Sequence, residues 1–275
     1  MIDAKEIEKL EKKYLGKINS TLDHHLDKII DELNSMNKIF KYWNNIPYDK
    51  GMDSGAERVI YSKLHSGSLG DPNSSPVASD LFFENKEAFI HIDLKTNQPY
   101  NNLSDHWRIP IGVNQNSYKC KFSVRKKAPR LYKPNLPTYY NEKLCLTYFI
   151  SILYTRDNKF DVLNINTSCV PNGELLNIYG GDILAAGKNP EKKKKTGSVE
   201  KDKARYLTRK NLYFELLCSD KIKYKRTIIS HKNMDLINRL PDYHVDRITK
   251  GKKKGQSKKT KCKLALLEYL DDLNT

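Results

Sequence analysis

Apolar positions recur every three or four residues over 3–36, at Ile7, Leu10, Tyr14, Ile18, Leu22, Leu26, Ile29, Leu33 and Met36. That spacing predicts a helical N-terminal region with one buried face, and Gly16 is a point where it could divide into two helices. Residues 40–52 are a connector punctuated by Pro47 and Gly51, and a further helix is expected from Ser54 to about His65. A loop of Gly, Ser, Pro and Asn fills 66–76. The pattern then changes to period two. Leu81 and Phe83 alternate with Asp80 and Glu84, and Ile90, Ile92 and Leu94 alternate with His91, Asp93 and Lys95. Alternate side chains of a strand point to opposite faces, so this is a hairpin with an apolar face and a charged face. Runs at 143–154, 159–167 and 211–218 have the apolar, β-branched character of central-sheet strands. A polar stretch occupies 96–118, and 263–273 is expected to be a short helix. The fold class expected is α/β: a central mixed β-sheet flanked by helices, preceded by a helical region. The chain is expected to be a single domain, with 1–39 helical, 40–230 forming the core and 231–275 a basic C-terminal region.

The hairpin concentrates the chemistry. With residues 85–88 as its loop, 84 pairs with 89 and Asp80 lies opposite Asp93. Opposed residues of an antiparallel pair have Cβ atoms about 4.5–5.5 Å apart. Two carboxylates at that distance repel unless a cation lies between them, and a hard, oxygen-preferring ion, Mg²⁺ above all, resolves the conflict. Lys95, on the same face, places a positive charge beside such an ion, where it can orient a water or offset charge on a phosphate. An acidic-x-Lys triplet alone carries little weight in a chain this rich in both charges; its seat on an apolar strand, facing a second acid 13 residues upstream, is what distinguishes it. The competing reading is an amphipathic hairpin with a solvated polar face. Glu57 is likewise open between two roles. It completes a Ser54-x-x-Glu57 capping box, or it is a third acid near the metal.

Charge narrows the choice of partner. The formal net charge is +16, and it is local. Residues 119–133 hold seven Lys or Arg and no acid, residues 188–210 hold ten against three acids, and residues 250–263 hold eight and none. These stretches carry more positive charge than the whole chain, so the remainder is net acidic. Clusters emptied of acid are what a polyphosphate surface selects. No basic amphipathic helix accompanies them, which disfavours a membrane surface. No apolar run is long enough to span a bilayer, and Met-Ile-Asp-Ala-Lys-Glu at the start lacks a signal-peptide core, so a soluble, cytoplasmic protein is expected. The five cysteines, Cys120, Cys145, Cys169, Cys218 and Cys262, are scattered and contain no Cys-x-x-Cys pair, as reduced thiols would be.

The hairpin resembles the PD-(D/E)xK core of type II restriction endonucleases, with Asp80 as first acid, Asp93 as second and Lys95 as the lysine. Further patches, Trp43 to Gly51, Glu57 to Leu64, Ser75-Pro76, Asn114-Gln115 and Val170 to Gly173, follow an order similar to the BglI-like branch. The resemblance covers about residues 40–215. It implies a Mg²⁺-dependent, site-specific deoxyribonuclease, with Mn²⁺ able to substitute, that cuts double-stranded DNA at a short palindromic or interrupted palindromic site. It implies a homodimer, since two-fold symmetry matches a two-fold site, and a cognate DNA methyltransferase as system partner. The implied metal ligands are Asp80, Asp93 and the carbonyl of Leu94, and Glu57 matches a family acid on the helix before the core. One departure is that Ser79, not proline, precedes Asp80. Gly70-Asp71-Pro72 therefore offers Asp71 as an alternative first ligand.

Base reading is expected from two segments. The stretch past Lys95 carries Asn97, Asn102, Asp105, His106, Trp107 and Arg108, joined by Asn114 and Gln115. The second is Lys201, Asp202, Lys203, Arg205, Arg209 and Lys210, which resembles a major-groove reading segment. Arg and Lys pair with guanine, Asn and Gln with adenine, and Asp with cytosine. Lys192 to Lys195 and the 250–259 run are expected to clamp phosphates. Two rival readings keep DNA as the partner: a structure-selective repair or recombination nuclease of the same fold, and a DNA-binding protein without catalysis.

Overall fold

The computed structural model describes residues 3–36, 51–65, 69–73, 79–99, 111–112, 114–122, 130–132, 134–156, 160–181, 183–186, 214–216, 224–240, 243–245, 259–261, 266–267 and 270. The N-terminal stripe forms two helices, α1 (Ala4–His24) and α2 (Leu26–Asn34). They divide at His25, not at Gly16, which lies inside α1 with nothing within 4 Å of the place a Cβ would occupy. All the stripe residues are buried except Leu26, which is half-buried against the same core. The third helix, α3, spans Gly51–Leu64. Ser54 is therefore inside the helix rather than at its N-cap, and the Ser54–Glu57 capping box is not the start of this element.

A central sheet of seven strands has the order β1 (Asp71–Pro72), β2 (Leu81–Glu84), β3 (Ala88–Asn97), β7 (Lys143–Arg156), β8 (Phe160–Val170), β11 (Thr227–Lys232), with β6 (Tyr139–Tyr140) attached to β7. β3 and β7 run parallel and the other neighbours antiparallel, so the sheet is mixed. Ile90, Ile92 and Leu94 of β3 join Leu146, Tyr148, Ile150 and Ile152 of β7 in one core with α1, α2 and α3. The helices cover the apolar face because period two along the strands meets the three-to-four spacing along the helices. A smaller cluster, in which Leu153 and Leu163 meet Ile237, Leu240, Leu266 and Leu270, closes the far ends of β7 and β8. Ile237 lies on a short helix, α5 (Met234–Arg239), preceded in chain order by α4 (Leu176–Tyr179).

Three two-stranded ribbons lie outside this sheet: β4 (Cys120–Phe122) with β5 (Arg130–Tyr132), β9 (Leu184–Ala186) with β10 (Phe214–Leu216), and β12 (Tyr243–Val245) with β13 (Lys259–Lys261). Of the run at 211–218, expected in the central sheet, the described residues Phe214–Leu216 thus form a ribbon strand pairing with β9. A short apolar run states that a strand exists but not which neighbour it takes.

A buried polar knot ties α1 to the sheet. Glu11 is fully buried and accepts from Arg226 Nη2 at 2.8 Å, Tyr224 Oη at 2.8 Å and the Asn172 amide at 2.6 Å. Arg226 also approaches the Cys169 sulfur, so the knot links α1, the end of β8 and the entry to β11. Every charge-bearing oxygen of Glu11 is matched by a donor, which is what allows an ion pair to be buried at all.

Candidate active site

The β2–β3 hairpin has the register Glu84↔Phe89, Phe83↔Ile90, Phe82↔His91 and Leu81↔Ile92. Asp80 directly precedes β2, and its carboxyl lies beside that of Asp93 at this end of the hairpin. The turn is fixed locally: Asn85 Oδ1 accepts from the amides of Glu87 at 2.9 Å and Ala88 at 3.0 Å. Gly70 then packs against it at φ +120°, where a Cβ would lie 2.3 Å from the Glu84 carbonyl oxygen, so only glycine fits.

Asp80 is exposed and Asp93 is 3% exposed. Asp80 Oδ2 accepts from the Leu94 amide at 2.6 Å. The Asp93 carboxyl is held on both sides, because Oδ1 accepts from Gln115 Nε2 at 2.7 Å and Oδ2 forms an ion pair with Lys95 Nζ. The Lys95 ammonium also sits 5.5 Å from the centre of the Phe149 ring. Burial pushes the Asp93 carboxyl up to about 7; Lys95 works against that rise and the neighbouring Asp80 adds to it. An acid in that range is poised near neutrality, and an oxygen-seeking cation beside it would favour its ionised form.

His91 shares this face and is 1% exposed, edge-on to Phe82 at 6.3 Å between ring centres. Neither ring nitrogen has a hydrogen-bond partner among the described residues. Burial, helped by the Lys95 charge, lowers its pKa to about 4, so it is a neutral ring packed behind the carboxylates.

Other expected site residues are spread more widely. Glu57 is half-buried on α3, which packs on β3 as well as on α1 and α2. Asp71, the alternative first ligand, is exposed and pairs with Glu84, four residues along from Asp80. At roughly 3.3 Å per residue that is about 13 Å, so Asp71 and Asp93 do not share a site. The Leu94 contact with the acids is through its amide nitrogen. Asn97 ends β3 and is half-buried, as is Asn114. Gln115 is committed to Asp93 through its amide nitrogen and to the Gly112 amide through its carbonyl oxygen, at 2.8 Å. Asn102, Asp105, His106, Trp107, Arg108, Lys201, Asp202, Lys203, Arg205, Arg209 and Lys210 lie outside the described residues, as do Lys192 to Lys195 and most of the 250–259 run. No helix among the described residues is long and apolar enough to cross a membrane.

Among the described residues no group of three or more His, Cys, Asp or Glu side chains is assembled as a metal site. The pair Asp80 and Asp93, all-oxygen and with one member destabilised as an anion, fits a hard divalent ion that keeps part of its water shell. The Gln115 contact went unforeseen in the sequence: it joins positions 22 residues apart with no periodic signal between them.

The family model described as "Type II restriction enzyme MwoI, N-terminal domain" matches residues 3–158. No curated protein sequence matches the chain. Among solved structures, the fold is similar to the restriction endonuclease BglI bound to its DNA recognition sequence, with TM-score 0.59, 13% identity, and coverage of 81% of this chain and 90% of that one. It is equally similar to the tetrameric restriction endonuclease SfiI bound to cognate DNA, with TM-score 0.59, 12% identity, and coverage of 94% and 95%.

Proposed function

This chain belongs to the family of the type II restriction enzyme MwoI N-terminal domain, and we propose that it hydrolyses phosphodiester bonds of double-stranded DNA at a short palindrome, continuous or interrupted, using Mg²⁺. The observation that carries this reading is the meeting of Asp80 and Asp93 at the end of one hairpin, Asp80 held on the Leu94 amide and Lys95 paired to Asp93.

Asp80, Asp93 and the Leu94 carbonyl would hold the ion, and Glu57 is the further acid that the helix α3 offers. When bound, a divalent ion neutralises phosphate charge and makes water more acidic. Asp93 supplies the negative charge that retains the ion, and its deep seat fixes the carboxylate relative to β3. Lys95 would orient the attacking water and offset negative charge on the phosphate: the water oxygen forms the new bond to phosphorus, the bond to the 3′-oxygen breaks, and that oxygen takes a proton from solvent water. His91, held neutral, contributes a shaped wall and no charge.

Specificity would come from Asn97, at the end of β3, with Asn102, Asp105, His106, Arg108 and Asn114 beyond it, and from Lys201, Asp202, Lys203, Arg205, Arg209 and Lys210. The basic stretches would bind phosphates. Both DNA-bound structures with this fold are restriction enzymes, which supports duplex DNA as substrate. A homodimer in the cytoplasm, with a cognate DNA methyltransferase as system partner, completes the proposal.

The test is incubation of a plasmid with the protein and Mg²⁺, with and without chelator. Discrete, chelator-sensitive fragments are expected, and sequencing of their ends gives the site and stagger. A gel shift with the plasmid left intact would overturn the catalytic reading, and preferential cutting of branched DNA would overturn the site-specific one.

A further inference from the structure

Gln115 belongs to a segment built with unusual care for a stretch of irregular chain. Asn116, Ser117 and Tyr118 are all buried. Asn116 Nδ2 donates to the Gly112 carbonyl at 3.0 Å, and its Oδ1 accepts from the Tyr118 amide at 2.9 Å. Tyr118 Oη donates to the Gly180 carbonyl at 2.7 Å. Ser117 Oγ accepts from the Gly173 amide at 3.0 Å, and a Cβ on Gly173 would lie 2.3 Å from the Ser117 carbonyl oxygen. The segment is thus tethered to the chain beyond β8 at one end and closed on itself at Gly112 at the other.

Its side-chain amide is locked in direction. Gln115 Oε1 accepts from the Gly112 backbone amide at 2.8 Å while the Gln115 backbone amide donates to the Gly112 carbonyl at 3.0 Å. With the oxygen engaged by a donor, the nitrogen is the end that faces Asp93 Oδ1. An N–H directed at a carboxylate oxygen favours the anion and fixes the rotation of the carboxyl plane. A side chain whose two polar ends are both satisfied inside the protein is poorly placed to read a base edge.

We propose that Gln115 is a positioning residue that holds Asp93 in its ion-binding orientation, rather than a DNA-reading residue. This inference rests on the reading of Asp93 as a metal ligand. Partners behind a metal ligand orient it, and their loss weakens metal affinity or activity by about 10- to 100-fold.

Gln115→Met removes both polar ends at similar size, and Gln115→Glu keeps an acceptor for Gly112 while losing the donor to Asp93. For each, three quantities are measured: single-turnover cleavage at saturating protein, Mn²⁺ binding without DNA by electron paramagnetic resonance of the free ion, and DNA affinity in Ca²⁺ by gel shift. Thermal unfolding without metal confirms that each variant is folded. Gln115→Met is expected to lose about 10-fold or more in cleavage rate and in Mn²⁺ affinity, with DNA affinity within about twofold of the parent, a difference under roughly 0.4 kcal/mol. Gln115→Glu is expected to cleave as poorly. Parent-like cleavage and Mn²⁺ binding in either variant overturn the inference. So does a loss of DNA affinity with Mn²⁺ binding unchanged, which makes Gln115 a DNA contact. If Asp93→Ala abolishes cutting while Gln115→Met does not, the nuclease reading stands and this one falls; if Asp93→Ala still cuts, both fall.

Discussion

Asp80, just ahead of β2, accepts a hydrogen bond from the Leu94 amide at 2.6 Å, which seats its carboxyl beside that of Asp93. The first acid is therefore pinned to the backbone link between the other two site residues, Asp93 and Lys95. Removing any of the three should stop chemistry while sparing DNA affinity. Asp80→Ala, Asp93→Ala and Lys95→Met are each expected to lower single-turnover cleavage by at least about 100-fold, roughly 2.7 kcal/mol in barrier. Gel shifts in Ca²⁺ should place Asp93→Ala at or above parent affinity, since it deletes a negative charge near the phosphate. Weaker binding in step with lost cutting would assign these residues to DNA contact.

His91 and Asp93, two residues apart on one face, oppose each other in the pH dependence of stability. His91 has a folded pKa of about 4, below its ordinary 6.5, because burial and then Lys95 disfavour its charge. Its contribution is complete above pH 6.5 and is lost as pH falls toward 4, since the unfolded chain binds the proton first. Asp93 is raised from 3.8 to about 7 by burial, against Lys95 and with Asp80. Its contribution is complete below 3.8 and is lost as pH rises through 7. Each shift corresponds to about 3–4 kcal/mol, so the two nearly cancel between pH 4 and 7. In chelator, His91→Gln should therefore lose stability with rising pH relative to the parent, and Asp93→Asn should gain it. Urea midpoints at pH 4.5 and 7 decide the matter; identical pH slopes in all three proteins would refute it.

The Glu11–Arg226 pair is nearly inaccessible at both ends. Glu11→Ala strands the guanidinium together with Tyr224 and the Asn172 amide, and the expected cost is about 3–5 kcal/mol. The double replacement Glu11→Leu with Arg226→Met should recover part of that loss, because no charge is then left buried. Chemical denaturation of the single and double variants measures both, and a double variant less stable than either single one would contradict the account.

Gly173→Ala should act at a distance. The new methyl would meet the Ser117 carbonyl oxygen at 2.3 Å and Thr138 Cγ2 at 2.7 Å, so backbone must move. A stability loss of about 1–3 kcal/mol is expected, with a fall in cleavage, because Ser117 is two residues from Gln115. A thermal shift alone, with cleavage intact, would show that the displacement stops short of Asp93.

The sequence by itself determined the N-terminal helical stripe, the hairpin with its 84–89 pairing, and the sharing of one face by His91, Asp93 and Lys95. These are short-range consequences of side-chain period, and period is written in residue order. It misjudged the break between α1 and α2, because a glycine costs only about 1 kcal/mol in a helix that packing supports. It also misassigned the 211–218 run to the central sheet and offered Asp71 as a rival to Asp80. Only the tertiary structure decided that Gln115 lies on Asp93, that Asp71 sits beside Glu84 instead, and that Glu11 meets Arg226 across the molecule. Those contacts join positions 22, 13 and 215 residues apart. Their partners are chosen by which loops and strand ends the folded sheet brings together, and no local periodicity encodes that choice.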